Sequence, residues 1–197
     1  KIDEPVSICS LKRVAADFAK KEYPKRRSVA KKTGKKKKVA IIGAGPSGLA
    51  AGNDLAVMGH DVTIFEALPM AGGMLSVGIP PYRLPWNKID GAVDWVEKLG
   101  IKLKLKSPIN TLAKFDKLVE KYDAVYIAAG AHKSMALEIQ GEDLKGVVNG
   151  IAYMKDINLG KQKQVPSRVA VVGGGFTAID CARSSLRLGA KEVFIIY

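Results

Sequence analysis

Residues 38–59 read KVAIIGAGPSGLAAGNDLAVMG, and their order decides the fold. An apolar run, VAII at 39–42, leads into a glycine-rich turn. Residues 46–58 then suit a helix, which Gly59 ends, and VTIFE at 62–66 forms a second short apolar run. Continuous apolar runs bounded by turns are the pattern of buried parallel strands. The turn itself is Gly43-x-Gly45-x-x-Gly48, with Ala44, Pro46 and Ser47 between. Gly43 permits the tight turn, Gly45 presents no side chain to an approaching pyrophosphate, and Gly48 lets helix and strand come close. Phosphates then meet free backbone N–H groups at the positive end of the helix. Glu66 follows at the end of the second strand, where its carboxylate can accept hydrogen bonds from ribose hydroxyls. Strand, turn, helix, strand and acid together specify a dinucleotide site. The turn alone does not separate FAD from NAD.

The same unit occurs a second time. Residues 168–189, RVAVVGGGFTAIDCARSSLRLG, align to 38–59 without gaps at an offset of 130, and after one inserted residue VFIIY at 193–197 aligns with VTIFE. The second turn is Gly173-Gly174-Gly175-Phe176-Thr177-Ala178, whose alanine still allows close helix packing. Asp180 is expected to favour the helix dipole or to bond the loop backbone. Tyr197 stands where the first unit has Glu66, and residues 193–197 contain no acid. The carboxylate that would bond the ribose diol of NAD, and repel the 2′-phosphate of NADP, is missing, which favours NADP. Two sites imply a flavin in the first and a mobile nicotinamide in the second. The cofactors then carry the chemistry, so no side chain is assigned as a catalytic acid, base or nucleophile.

Around these units the beta–alpha alternation continues. Residues 88–99 have helical spacing, 101–106 (IKLKLK) alternate as a half-exposed strand, and 123–130 (DAVYIAAG) read as another buried strand. The fold class is α/β: a Rossmann-like, doubly wound unit, then a second, incomplete one, behind a short helical N-terminal segment. The expected boundaries are a helical segment at 1–23, a basic linker at 24–38, a first dinucleotide domain at 39–135, a connection at 136–165, and the start of a second at 166–197. Ala71-Gly72-Gly73-Met74 offers small backbone to an extended cofactor, and Gly78-Ile79-Pro80-Pro81-Tyr82-Arg83-Leu84-Pro85 is a stiff segment carrying one cation suited to a phosphate.

The net charge of +13 is concentrated at the start, where residues 1–38 hold 14 Lys/Arg against 4 Asp/Glu. The linker has no aromatic residue between 25 and 38 on which a base could stack, so it reads as solvated and not as a nucleic-acid surface. Cys9 and Cys181 are far apart and form no Cys-x-x-Cys pair, His60 and His132 are isolated, and no metal site is assigned. No apolar run approaches the ~20 residues of a membrane span. The start lacks a signal-peptide core, so a cytoplasmic protein is expected. The chain begins with Lys1 and stops at a strand end, and is read as a fragment.

The motifs GAGPSGLAA, FEALPMAGGML, GIPPYRLP, AAGAHKS and GGGFTAIDCARSSLRLGA, in that order, resemble the glutamate synthase small-subunit family. Its flavin module is shared with dihydropyrimidine dehydrogenase and NADH-dependent ferredoxin:NADP oxidoreductase. The resemblance implies FAD in the first domain, NADPH in an inserted second one, and electron transfer through 4Fe-4S clusters to a partner domain or catalytic subunit. It carries FAD contacts onto Gly43 to Ser47, Glu66, Gly73, Met74 and Arg83, with an adenine-side backbone contact near Ile109. Nicotinamide-cofactor contacts fall on Gly174, Gly175, Phe176 and Thr177. KIDEPVSI at 1–8 resembles the stretch after the family's cluster-binding cysteines, which places those ligands outside this sequence. Phe176 departs from the Asn or Asp frequent in the family. The competing readings are a flavin disulfide reductase, which needs a cysteine pair beside the flavin, and a nucleic-acid-binding or scaffolding protein on a degenerate flavoprotein fold. A flavin monooxygenase or amine oxidase would have no use for a second dinucleotide site.

Overall fold

The computed structural model describes residues 5–19 and 35–197. Helix α1 (Ile8–Ala19) forms within the expected N-terminal helical stretch. Most of the basic linker lies outside the described residues. Two of its last lysines are anchored: Lys36 pairs with Asp61 at 2.7 Å and Lys37 with Asp123 at 2.9 Å.

The first unit runs β1 (Lys38–Ile42), α2 (Pro46–Val57), β2 (Asp61–Phe65), α3 (Met74–Val77), α4 (Trp86–Lys98), β3 (Lys102–Lys104), α5 (Leu112–Lys121) and β4 (Ala124–Ile127). Its four strands are all parallel, in the order β3-β2-β1-β4. The order reverses beside β1, and in sheets of this kind ligands bind at that reversal, beyond the carboxyl ends of the strands. The turn Gly43–Gly48 lies there. The core gathers Val39, Ile41, Val62 and Ile64 from the strands with Leu49, Val96 and Ile101. Ile41 and Ile64 are fully enclosed, and truncating either to Ala would cost about 2–5 kcal/mol.

The second unit is smaller. Helix α6 (Gly150–Asn158) precedes β5 (Arg168–Val172), α7 (Phe176–Arg187) and β6 (Glu192–Ile196), with β5 and β6 paired in parallel. The offset of 130 relates β1 to β5 and α2 to α7 residue for residue, and β2 to β6 after the one-residue insertion. Among the described residues, no helix is long and apolar enough to cross a membrane.

Two strands differ from expectation. The strand expected over 101–106 is only β3, because Lys106 adopts φ +52° and its N–H and that of Ser107 turn back to the carbonyls of Leu68 and Glu66. The strand at 124–127 forms but is not buried: Tyr126 and Ile127 are exposed. Among the described residues it is an edge, paired only with β1. An apolar sequence cannot by itself tell an interior strand from an edge that another segment covers.

Candidate functional site

The first glycine turn is shaped by its neighbours at three positions and left open at a fourth. Gly43 has φ +107°, and a Cβ there would lie 2.3 Å from the Ala128 carbonyl oxygen. A Cβ on Gly48 would lie 1.9 Å from the Gly43 oxygen, which is the close helix-to-turn approach its spacing predicts. Gly73 has φ +56°, and a Cβ on it would come within 2.9 Å of Gly45 Cα. Gly45 is different. Its φ of −77° suits any residue, and a Cβ on it would meet only Gly73 Cα, at 3.8 Å. Neither packing nor backbone conformation demands glycine at 45. A side chain there would fill the cradle between Gly45 and Gly73. No side chain caps α2, so no capping group competes for its first-turn N–H groups.

Glu66 is buried at the lip of this cradle. One carboxylate oxygen accepts the Ala44 N–H at 2.7 Å and the other the Leu68 N–H at 2.8 Å. The carboxylate thus fixes the turn, and each oxygen keeps a second acceptor position. The Gly72 N–H bonds the Ala44 carbonyl at 2.8 Å, bringing the 71–74 segment against the turn. Ser47 Oγ pairs with the Tyr126 hydroxyl at 2.9 Å. The Met74 side chain lies over Gly78. Ile109 is half-buried in the loop after β3, two residues beyond Ser107, whose N–H bonds the Glu66 carbonyl.

The second turn repeats the first in detail. Gly173 has φ +117° and its N–H bonds the Ile196 carbonyl at 2.7 Å, as the Gly43 N–H bonds that of Phe65 at 2.8 Å. Gly175 has φ −78° and a Cβ there would meet nothing within 4 Å. Gly174 faces the Tyr197 ring, which lies 3.3 Å from where its Cβ would be. Phe176 is exposed, and the Thr177 methyl faces Gly150 on α6.

Asp180 does not bond the loop backbone. Its Oδ2 accepts from Arg83 Nη1 at 2.5 Å, and its Oδ1 is buried without a hydrogen-bond partner among the described residues. The Arg83 guanidinium also lies 5.4 Å from the centre of the Phe176 ring. The cation expected to face an FAD phosphate therefore links the 78–85 segment to the second unit. The pair spans 97 positions in sequence, and no local pattern announces it. The sequence likewise gives no sign of Tyr126 at the turn, since only the fold brings β4 beside it.

Cys181 is buried and unpaired, and Cys9 is exposed. Burial, reinforced by the Asp180 charge, pushes the Cys181 thiol up to about 11. Among the described residues no cysteine pair stands beside either turn, and no group of three or more His, Cys, Asp or Glu could hold a metal ion.

Two parallel α/β units, each with an uncapped helix behind an open middle glycine, define a protein built on two dinucleotide-type folds. The model of the pyridine nucleotide-disulphide oxidoreductase family matches residues 37–197, and the chain belongs to that family. It is 43% identical over 221 residues to the NADP(+)-dependent formate dehydrogenase subunit beta of Moorella thermoacetica, a match covering 100% of this chain and 31% of that protein. It is 36% identical over 178 residues to the glutamate synthase [NADPH] small chain of Escherichia coli K12, covering 85% of this chain and 37% of that one. Such relatives bear out the resemblance to the glutamate synthase small-subunit family. Among solved structures, 2-naphthoyl-CoA reductase superposes with a TM-score of 0.70 at 34% identity, over 89% of this chain and 25% of that one. Mycobacterium tuberculosis FprA in complex with NADPH gives 0.66 at 26%, over 82% and 43%. The chain spans about a third of the length of curated relatives such as the formate dehydrogenase subunit beta.

Proposed function

We propose that this chain is the flavin-proximal part of an NADPH oxidoreductase, with FAD on the first turn and NADPH on the second. The observation that carries the reading is the pair Gly45 and Gly175. Both have ordinary backbone angles and room for a Cβ, so glycine at each is explained by a ligand and not by the protein. In this reading residues 39–135 hold FAD and 166–197 begin the nicotinamide domain. FAD would be held by Gly43 to Ser47, Glu66, Gly73, Met74 and Arg83, with Ile109 toward the adenine. NADPH would be held by Gly173 to Thr177.

Bound together, the two cofactors supply hydride transfer from nicotinamide to flavin. The chain's own part is positional. The N–H groups at the starts of α2 and α7 receive pyrophosphate. Glu66 holds the first turn rigid while offering its remaining acceptor positions to a ribose. No side chain needs to donate or remove a proton.

Preference for NADPH is supported by Tyr197 in place of an acid and by the NADP(+) and NADPH in the names of the relatives. Transfer onward to iron–sulfur clusters of a partner domain or subunit is supported by the resemblance of residues 1–8 and by the much greater length of those relatives. The full-length protein should purify yellow and be bleached by NADPH without oxygen, with kcat/KM for NADPH above that for NADH. A colourless preparation that takes up no flavin on reconstitution would refute the flavin site. A higher kcat/KM for NADH would refute the nicotinamide assignment.

A further inference from the structure

The segment leaving the FAD cradle does not merely pass near the second unit; three contacts fasten it there. Asn158, at the end of α6, donates through Nδ2 to the carbonyls of Val77 and Ile79 at 3.0 and 3.1 Å. Tyr82 lies under two cations of α7, with the guanidinium of Arg183 4.8 Å and that of Arg187 3.9 Å from its ring centre. Arg83 then pairs with the buried Asp180, one helical turn into α7. Helix α6 is bound to α7 through the Tyr153 and Ser185 hydroxyls, 2.8 Å apart. The contacts differ in kind and fall within seven residues of the 77–83 segment. A carboxylate almost fully removed from water is costly unless it is paired, so Asp180 strongly favours arrangements in which Arg83 reaches it. Both ends of the junction also lie next to a cofactor turn, because α7 starts at Gly175 and the 77–83 segment follows directly from Gly73 through α3.

We propose that this junction sets the distance and angle at which the nicotinamide unit meets the flavin unit, with Asp180 and Tyr82 as positioning residues for hydride transfer. The inference rests on the assignment of FAD and NADPH to the two turns. Cofactor binding depends on the turns themselves, whereas the relative placement of the two units depends on the junction. Loosening it should therefore lower the rate of flavin reduction with little effect on occupancy, because small misplacements of reacting atoms are expensive in rate.

The test is anaerobic stopped-flow reduction of the full-length holoenzyme by NADPH, comparing wild type with Asp180→Asn, Tyr82→Ala and Tyr82→Phe. For Asp180→Asn and Tyr82→Ala, the reduction rate at saturating NADPH should fall roughly tenfold to a hundredfold. Flavin content should be retained and the apparent Kd for NADPH should move less than about threefold, as uniform binding is untouched. Tyr82→Phe keeps the ring face and should restore the wild-type rate. Should Asp180→Asn not fold, Tyr82→Ala carries the test alone, since neither Tyr82 nor the two cations on its ring are assigned to a cofactor. Saturating rates within twofold of wild type in the folded Asp180→Asn or Tyr82→Ala protein would overturn the proposal, as would a loss seen only in Kd. A wild-type protein without flavin, or with flavin that NADPH does not reduce, would instead overturn the cofactor assignment beneath it.

Discussion

The two glycine turns share a backbone but differ in what enforces it. In the first, Gly48 is compulsory, because a Cβ would fall 1.9 Å from the Gly43 oxygen. In the second, the equivalent residue is Ala178, whose Cβ is buried without conflict and would stand 3.8 Å from a Cβ on Gly173. The first turn also has a buried carboxylate, Glu66, which accepts the turn's Ala44 N–H and the Leu68 N–H beyond β2. The second has Tyr197 at the matched position. The first turn is thus closed by backbone contact at Gly48 and pinned by the buried Glu66 carboxylate, whereas the second accepts a methyl at the matched position.

The largest effect that would sharpen this contrast is on folding. Gly48→Ala should destabilise the protein by about 3 kcal/mol or more, since neither helix nor turn can yield without disturbing the other. The reverse change at the matched position, Ala178→Gly, should cost only about 0.5–1 kcal/mol, the ordinary penalty of glycine inside a helix. Chemical denaturation of both variants measures the difference, and equal losses would break the comparison. Next, Glu66→Gln should cost about 1–3 kcal/mol, because one of the Ala44 and Leu68 N–H groups would then face an amide N–H in a buried site. A stability unchanged in urea would show that the carboxylate does not pin the turn. The smallest effect is on reactivity. With its thiol raised to about 11 by burial beside the Asp180 charge, Cys181 should resist alkylation at pH 8, where its thiolate fraction is on the order of a thousandth. Labelling should rise only as the solution approaches the raised pKa or as the protein unfolds, while exposed Cys9 labels readily. Rapid modification of Cys181 in the native protein at pH 8 would contradict the burial seen here.

The fold was largely legible because its signals are local. Each turn has its strand, helix and glycines within about 30 residues, the span of one βαβ unit, and the offset of 130 alone predicted that β5 and α7 would match β1 and α2. What sequence reasoning missed depends on contacts between distant segments. The edge position of β4 follows from strand order, which its apolar residues do not encode. Glu66 was expected to face a ribose, and its ties to Ala44 and Leu68 emerge only when the turn closes over it. Arg83 and Asp180 read in sequence as a phosphate contact and as a dipole or loop partner, and only the docking of α7 against the 77–83 segment brings them together.

The most direct test of the division between the two turns is the Gly175→Leu variant of the full-length protein. The backbone at 175 accepts any residue and a Cβ there meets nothing, so the fold should survive while the pyrophosphate position is blocked. Flavin content and flavin reduction would be measured together, with dithionite and NADPH as alternative reductants. The predicted protein retains FAD at the wild-type ratio and is bleached by dithionite, but not by NADPH. A folded variant that loses its FAD, or that NADPH still bleaches at the wild-type rate, would contradict the assignment of flavin to the first turn and nicotinamide to the second.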